Sequence, residues 1–321
     1  VKVETAKSEP VRLENKRDDD RIYCERLARH LDELKWLYCE LYQDNPYVTM
    51  HLNDLLKVLK KFYDMRGDAL KESDLKREKD PTWYKRNDLT GMMMYVNAFA
   101  GTLSNLESKL DYVQECNVNY LHLMPLLDSP RGRSDGGYAV ADFRKVQEEL
   151  GTMDDFADLT AACHKRGINV CLDFVMNHTS EDHEWAKRAR NGEKEYQDRY
   201  FFFDNYDIPS LYEQTCPEVF PTTAPGNFTW LEDLHKHVMT TFYPYQWDLN
   251  YRNPIVLNEM IFNMQPRCGY RSSGCCTIYL ETAWNQLPQS STGSHHCTYH
   301  AYGLRDCMPG HTSSRRSCYG S

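Results

Sequence analysis

In the first part of the chain the apolar positions recur with a helical period. Leu27, Leu31, Leu34, Tyr38 and Leu41 fall three or four apart, on one face of a helix. After the Asn45-Pro46 break, Leu52, Leu55, Leu59 and Phe62 repeat the pattern. Together they predict helices over about residues 18–75 that pack an apolar stripe on something larger. At Leu89 the texture changes. Short apolar runs at Gly91–Val96, Tyr120–Pro125 and Ile168–Phe174 read as strands. Between them, Leu106–Cys116 and Met153–Lys165 read as amphipathic helices, the second with Thr152 as its N-cap. Strand, helix, strand, helix, strand at this spacing opens a parallel α/β unit. Residues 181–245 are rich in aromatics, Pro and charge but show no period, so they are predicted to form a small inserted subdomain rather than a bare loop.

Composition removes classes more than it adds them. The 321 residues suffice for two domains or one large one. A net charge of −9 without long blocks leaves no nucleic-acid footprint. No run of about 18 apolar residues is present to span a membrane. The amino end is polar and charged, unlike a signal peptide. Cys24, Cys39, Cys116, Cys163, Cys171 and Cys216 are scattered, as reduced thiols of a cytoplasmic protein would be.

Three polar segments interrupt this frame. Ser134-Asp135-Gly136-Gly137-Tyr138 follows the second strand, Asp173-Phe174-Val175-Met176-Asn177-His178 ends the third, and Gln246-Trp247-Asp248-Leu249-Asn250-Tyr251 closes the excursion. Polar residues at the carboxyl end of a buried strand are where a β/α barrel builds its chemistry. Each segment also has a plainer reading: Asp-Gly-Gly suits a turn, and a lone histidine is most often a satisfied core residue.

In this order the three segments resemble the α-amylase superfamily, glycoside hydrolase family 13. Within it they resemble the amylosucrase-like members, which carry a helical amino-terminal domain. The resemblance runs from about Asp18 to Met264. It implies a helical domain at 1–88 and the first βα units of a (β/α)8 TIM barrel at 89–180. An inserted subdomain at 181–245 and a return to the barrel at 246–264 would follow, leaving the barrel incomplete. By the same resemblance, Asp135 would bond hydroxyls of a glucosyl ring, Tyr138 would stack on the ring, and His178 would donate to a hydroxyl near the reacting carbon. Asp173, Asn177, Asp248 and Asn250 would support the site from behind. No cofactor or metal is implied. The implied partners are sucrose or a related α-glucoside and an α-glucan.

Retaining chemistry on a glycoside needs two carboxyl groups, one to attack the anomeric carbon and one to protonate the leaving oxygen. In this family they end the fourth and fifth strands, and neither motif appears after Met264, so no catalytic residue is assigned in the chain. Residues 265–321 contain no Lys, Val or Phe, and Glu281 and Asp306 are their only acids. A zinc module using Cys268, Cys275, Cys276, His295, His296, Cys297 or Cys307 is one reading, although the spacings fit no standard finger. A shifted reading frame explains more. If each codon lends its last two bases to the first base of the next, Trp284-Asn285 must give Gly and Met308-Pro309 must give Cys. Permitted codons elsewhere yield Gly-Val-Asp-Ile-Val-Arg-Leu-Asp-Ala-Val and, later, Gly-Glu-Val. The missing Asp would then straddle Gly274 and Cys275, and the missing Glu would straddle Arg316 and Ser317. The chain as translated is therefore expected to supply about three of the barrel's eight strands and no activity. A non-catalytic sugar-binding protein and a tail acting as a metal or interaction module are the alternatives.

Overall fold

A computed structural model describes residues 16–264 and the backbone of 276–281. Its amino-terminal part is helical: α1 (Lys16–Leu41), α2 (Val48–Met65) and α3 (Asp68–Lys79). Helix α2 buries Leu52, Leu55, Leu59 and Phe62, the stripe that its period predicts. The turn into α3 is held by Arg66, which bonds the fully buried Asp74 at 2.7 Å.

The first strand, β1 (Gly91–Met94), leads to three short helices, α4 (Val96–Phe99), α5 (Leu103–Ser108) and α6 (Leu110–Glu115). A single helix over Leu106–Cys116 is not formed. The chain breaks at Lys109 (φ −99°, ψ 5°), whose ammonium donates to the Phe99 carbonyl at 2.7 Å. Next come β2 (Tyr120–Leu123) and a hairpin that the apolar pattern does not announce, β3 (Leu127–Asp128) with β4 (Asp142–Val146). Helix α7 (Met153–Lys165) starts on a full capping box, Thr152 with Asp155. After it, β5 (Asn169–Val175) is buried along nearly its whole length, and β6 (His178–Ser180) follows.

Residues 181–245 form structure of their own. Helices α8 (Glu184–Arg190) and α9 (Lys194–Gln197) precede β7 (Phe202–Phe203), α10 (Asp207–Glu213), β8 (Phe228–Leu231) and β9 (Lys236–Met239). The last three strands make an antiparallel sheet ordered β7-β9-β8. The chain returns through β10 (Gln246–Asp248), which pairs antiparallel with β6, and ends its continuous part in α11 (Pro254–Met264). Trp247 on β10 is fully buried, with Tyr200 and Phe202 edge-on at 5.5 and 5.6 Å and the Arg190 guanidinium 4.9 Å from its ring. This packing fixes the excursion to the sheet.

The principal sheet is parallel and ordered β1-β2-β5-β11, with β11 spanning Cys276–Glu281. It therefore has four strands rather than three, and the fourth comes from the segment with the anomalous composition. Thr277, Ile278, Tyr279 and Leu280 favour extended backbone, and the edge of β5 offers unpaired main-chain groups for them to satisfy. The rest of 265–321, including Cys268, Cys275, His295, His296, Cys297 and Cys307, lies outside the described residues. Helix α11 docks on α2: Phe262 meets Phe62 at 5.3 Å. Asn258 accepts from the Tyr38 hydroxyl at 3.1 Å and donates to the His51 carbonyl at 2.8 Å. No helix among the described residues is long and apolar enough to cross a membrane.

Candidate active site

Alternation along β2 and β5 sends Leu121 and Leu123 into the core and leaves His122 on the other face. There the His122 Nε2 lies 2.8 Å from Asp173 Oδ1. The second carboxylate oxygen of Asp173 accepts from the Tyr138 hydroxyl at 3.0 Å. Asp173 is thus held between a side chain from β2 and one from the loop after β3. Tyr138 is half-buried against the core, and this bond anchors the hydroxyl end of its ring.

The loop that presents Tyr138 is tightly specified. Asp135 and Gly136 have φ of 48° and 66°. Gly137 has φ 98°, and a Cβ there would stand 2.8 Å from the Pro125 Cβ, so only glycine fits. The Asp135 carboxylate turns toward β10, where Gln246 Nε2 donates to it at 3.1 Å. Gln246 is oriented by its own oxygen, which accepts the Tyr243 N–H at 2.9 Å.

His178 opens β6 and is only 2% exposed. Burial pushes its pKa down to about 4, so the imidazole is neutral near pH 7. Its Nε2 lies 3.3 Å from the Tyr138 carbonyl and 3.0 Å from Gln246 Nε2, and its Nδ1 lies 3.3 Å from Asn177 Nδ2. With Nε2–H donating to the Tyr138 carbonyl and Nδ1 accepting from Asn177, the Gln246 amide is a close neighbour of Nε2 and not its hydrogen-bond partner. A sugar hydroxyl reaches this ring only by displacing one of those partners. Asn177 also donates to Asp248, whose other oxygen accepts the Thr241 N–H at 2.6 Å. Burial raises the Asp248 pKa to about 7 despite these donors.

Asp135, Tyr138, Asp173, Asn177, His178 and Asp248 are therefore brought into one connected cluster. Asn250 stands apart from it and donates to the Asp198 carbonyl at 3.2 Å, as a loop anchor would. Two members of the cluster lack a role in the sequence reading, His122 and Gln246. The first has a local signal, one polar residue between two leucines in a four-residue strand. The second becomes a site residue only because β10 returns beside β6. Among the described residues no group of three or more His, Cys, Asp or Glu side chains is arranged to hold a metal ion.

Residues 59–267 match the alpha amylase catalytic domain, and the chain belongs to that family. It is 40% identical over 165 residues to the trehalose synthase/amylase TreS of Mycolicibacterium smegmatis, covering 50% of this chain and 26% of that protein. Against Maltase 1 of Drosophila virilis the identity is 34% over 204 residues, 60% of this chain and 31% of that protein. The isomaltulose synthase of Erwinia rhapontici NX5, crystallised as a mutant with D-glucose, superposes with a TM-score of 0.54 at 25% identity, over 65% of this chain and 37% of that one. The trehalulose synthase MutB of Pseudomonas mesoacidophila MX-45 gives 0.52 at 26%, over 63% and 36%. The chain thus spans about a quarter to a third of the length of these curated relatives. Its parallel sheet is the opening part of an α-amylase catalytic barrel that does not close among the described residues.

Proposed function

We propose that Asp135, Tyr138 and His178 form one wall of a glucosyl-binding subsite belonging to a retaining enzyme that acts on an α-glucoside. The observation that carries this is the continuous line of contacts from His122 through Asp173, Tyr138, His178 and Gln246 to Asp135. It sets an aromatic ring and a carboxylate side by side at the carboxyl ends of the strands, where a barrel enzyme holds substrate. The names of the relatives support the substrate class: trehalose synthase, maltase, and an isomaltulose synthase whose natural substrate is sucrose. In the intact protein a carboxylate from the fourth strand attacks the anomeric carbon while an acid from the fifth protonates the leaving oxygen. A hydroxyl, deprotonated by the same acid's conjugate base, then takes the glucosyl group. With sucrose as donor and a growing α-glucan as acceptor, the reaction is the amylosucrase-like one. Asp173, Asn177 and Asp248 hold the walls and do not react, since each is already bonded to protein groups.

The chain as translated carries neither reacting carboxylate in frame, in this reading, and is inactive. The family match ending at residue 267 supports that placement of the break. The scattered placement of Cys24, Cys39, Cys116, Cys163, Cys171 and Cys216 along the chain supports a reducing compartment such as the cytoplasm. The test is turnover of sucrose, trehalose and maltooligosaccharides by the purified chain, beside a version with the frame restored after the Met264 codon. Activity only in the restored version is the expected result, and turnover by the chain as given overturns the reading. A non-catalytic binding role is favoured instead if calorimetry gives a micromolar sucrose or maltooligosaccharide isotherm that Tyr138→Ala abolishes.

A further inference from the structure

The last turn of α3 carries Lys76, Arg77 and Lys79, and the last turn of α7 carries His164 and Lys165. Cations suit the carboxyl end of a single helix, but here two such ends are brought together. Burial, and then the Arg77 and Lys76 charges, hold the His164 imidazole below its usual range, so the three side chains share one electrostatic neighbourhood. Arg77 is the fixed member. Its guanidinium lies 4.5 Å from the ring centre of Trp83, on the 3-10 turn Trp83–Lys85, and its Nη2 donates to Asn169 Oδ1 at 2.6 Å. Asn169 opens β5 and donates to the carbonyl of Asn119, just before β2, at 3.2 Å. The cluster thus sits at the amino ends of the strands, whereas Asp173 and His178 lie toward the carboxyl ends.

The nearby acids are engaged elsewhere. Glu78 lies 2.6 Å from Arg26, Asp111 lies 3.1 Å from Arg166, and Asp80 lies 3.8 Å from Arg86. Among the described residues no carboxylate pairs with Lys76, Lys79 or Lys165. Like charges held together without a counter-ion cost free energy until a group of opposite sign arrives. The chain as a whole carries −9. An extended polyanion would overrun the cations and meet that acidic remainder. A compact anion feels the cluster alone, because charges beyond about 8–10 Å are screened at physiological salt. A phosphate group brings three acceptor oxygens and close to two charges, enough to meet the Arg77 fork and the Lys76 ammonium at once. A carboxylate brings two oxygens and one charge. We propose that Lys76, Arg77 and His164, flanked by Lys79 and Lys165, form a site for a compact ligand with clustered phosphate groups. An inorganic oligophosphate and a phosphorylated metabolite share that chemistry. The site is independent of the function proposed for the Tyr138 cluster.

Calorimetry of the full chain with sodium tripolyphosphate, a hexose bisphosphate or citrate, at about 0.15 M salt, tests this. At least one of the two phosphate compounds is expected to bind, and the tighter of them names the source. Citrate is expected to bind more weakly than either. Lys76 is exposed, so its replacement leaves the core alone. Lys76→Ala is expected to weaken phosphate binding about tenfold, a loss of ~1.4 kcal/mol, and Lys76→Arg to retain it. Lys165→Ala is the second variant. Lys57→Ala, which removes an exposed lysine paired with Asp54 on α2, behaves as the parent. A bound phosphate also favours protonated His164, so the NMR titration midpoint of this imidazole is expected to move up on binding, with the signal assigned by His164→Asn. No binding of either phosphate compound by the parent overturns the site, as does equal binding by Lys76→Ala, Lys165→Ala and parent. Citrate binding as tightly as tripolyphosphate overturns the choice of phosphate. Tighter binding to single-stranded RNA or to anionic vesicles overturns the compact ligand.

Discussion

Gly137 is the residue on which the candidate site turns. Its φ of 98° and the Pro125 atoms 2.8 and 2.9 Å from a would-be Cβ leave a side chain no place. Gly137→Ala is expected to destabilise the protein by about 2–4 kcal/mol, combining backbone strain with overpacking, which urea unfolding would measure. Charge buried behind the loop has its own signature. Burial holds Asp248 up to about 7, while His178 and His183 are pushed down to about 4. An unfolded aspartate titrates near ~3.9, so the contribution of Asp248 is fully present below that pH and is lost as pH rises toward about 7. The two imidazoles act the other way, losing their contribution as pH falls from about 6.5 toward about 4. Asp248→Asn isolates the first effect. Its stability relative to the parent is expected to improve by on the order of 3 kcal/mol between about pH 4 and pH 7 and to level off above. Urea midpoints across that range check this, and a constant difference would sink the assignment. Asp173 and His178 stood out in the sequence because they are polar at the end of an apolar run, and Asp135 and Tyr138 only because their segment resembles the family's. Gln246 did not, because its place beside His178 depends on a strand that returns from residues 181–245.

Among the elements, those with a long period and a chemical start or stop were the legible ones. Helix α7 combines an apolar face with a Thr152–Asp155 capping box, in which the Thr152 side chain accepts the Asp155 N–H at 3.2 Å. The Asp155 carboxylate accepts the Thr152 N–H at 2.7 Å, and bonds from Thr152 hold its pKa below the usual range. Thr152→Ala is expected to cost about 1 kcal/mol, seen as a lower urea midpoint with unchanged slope. The break at Lys109 was not legible, because Leu106, Leu110 and Val113 keep a helical spacing straight through it. The β3–β4 hairpin was hidden for another reason: β3 has two residues, too few for any alternation to show.

For the whole molecule, an unfinished sheet sets the behaviour. Strand β1 ends the sheet among the described residues, and Met93 on it is 66% exposed. An apolar residue on an unpaired edge invites other chains, so Met93→Lys is expected to raise the concentration at which the protein aggregates, as light scattering would report. The parallel α/β unit was legible from the strand and helix spacing and the barrel from the family resemblance, whereas the fourth strand was not, because its segment matches no expected motif. The docking of α11 on α2 has a consequence in time. The Tyr38–Asn258 and His51–Asn258 bonds join positions 220 and 207 residues apart. A ribosome adding about 5–20 residues per second needs roughly 10–40 s to make that length. Throughout that interval the apolar face of the first helices has no α11 to cover it. The nascent amino-terminal segment is thus a chaperone client by construction, and any fault in translation before Asn258 leaves it one permanently.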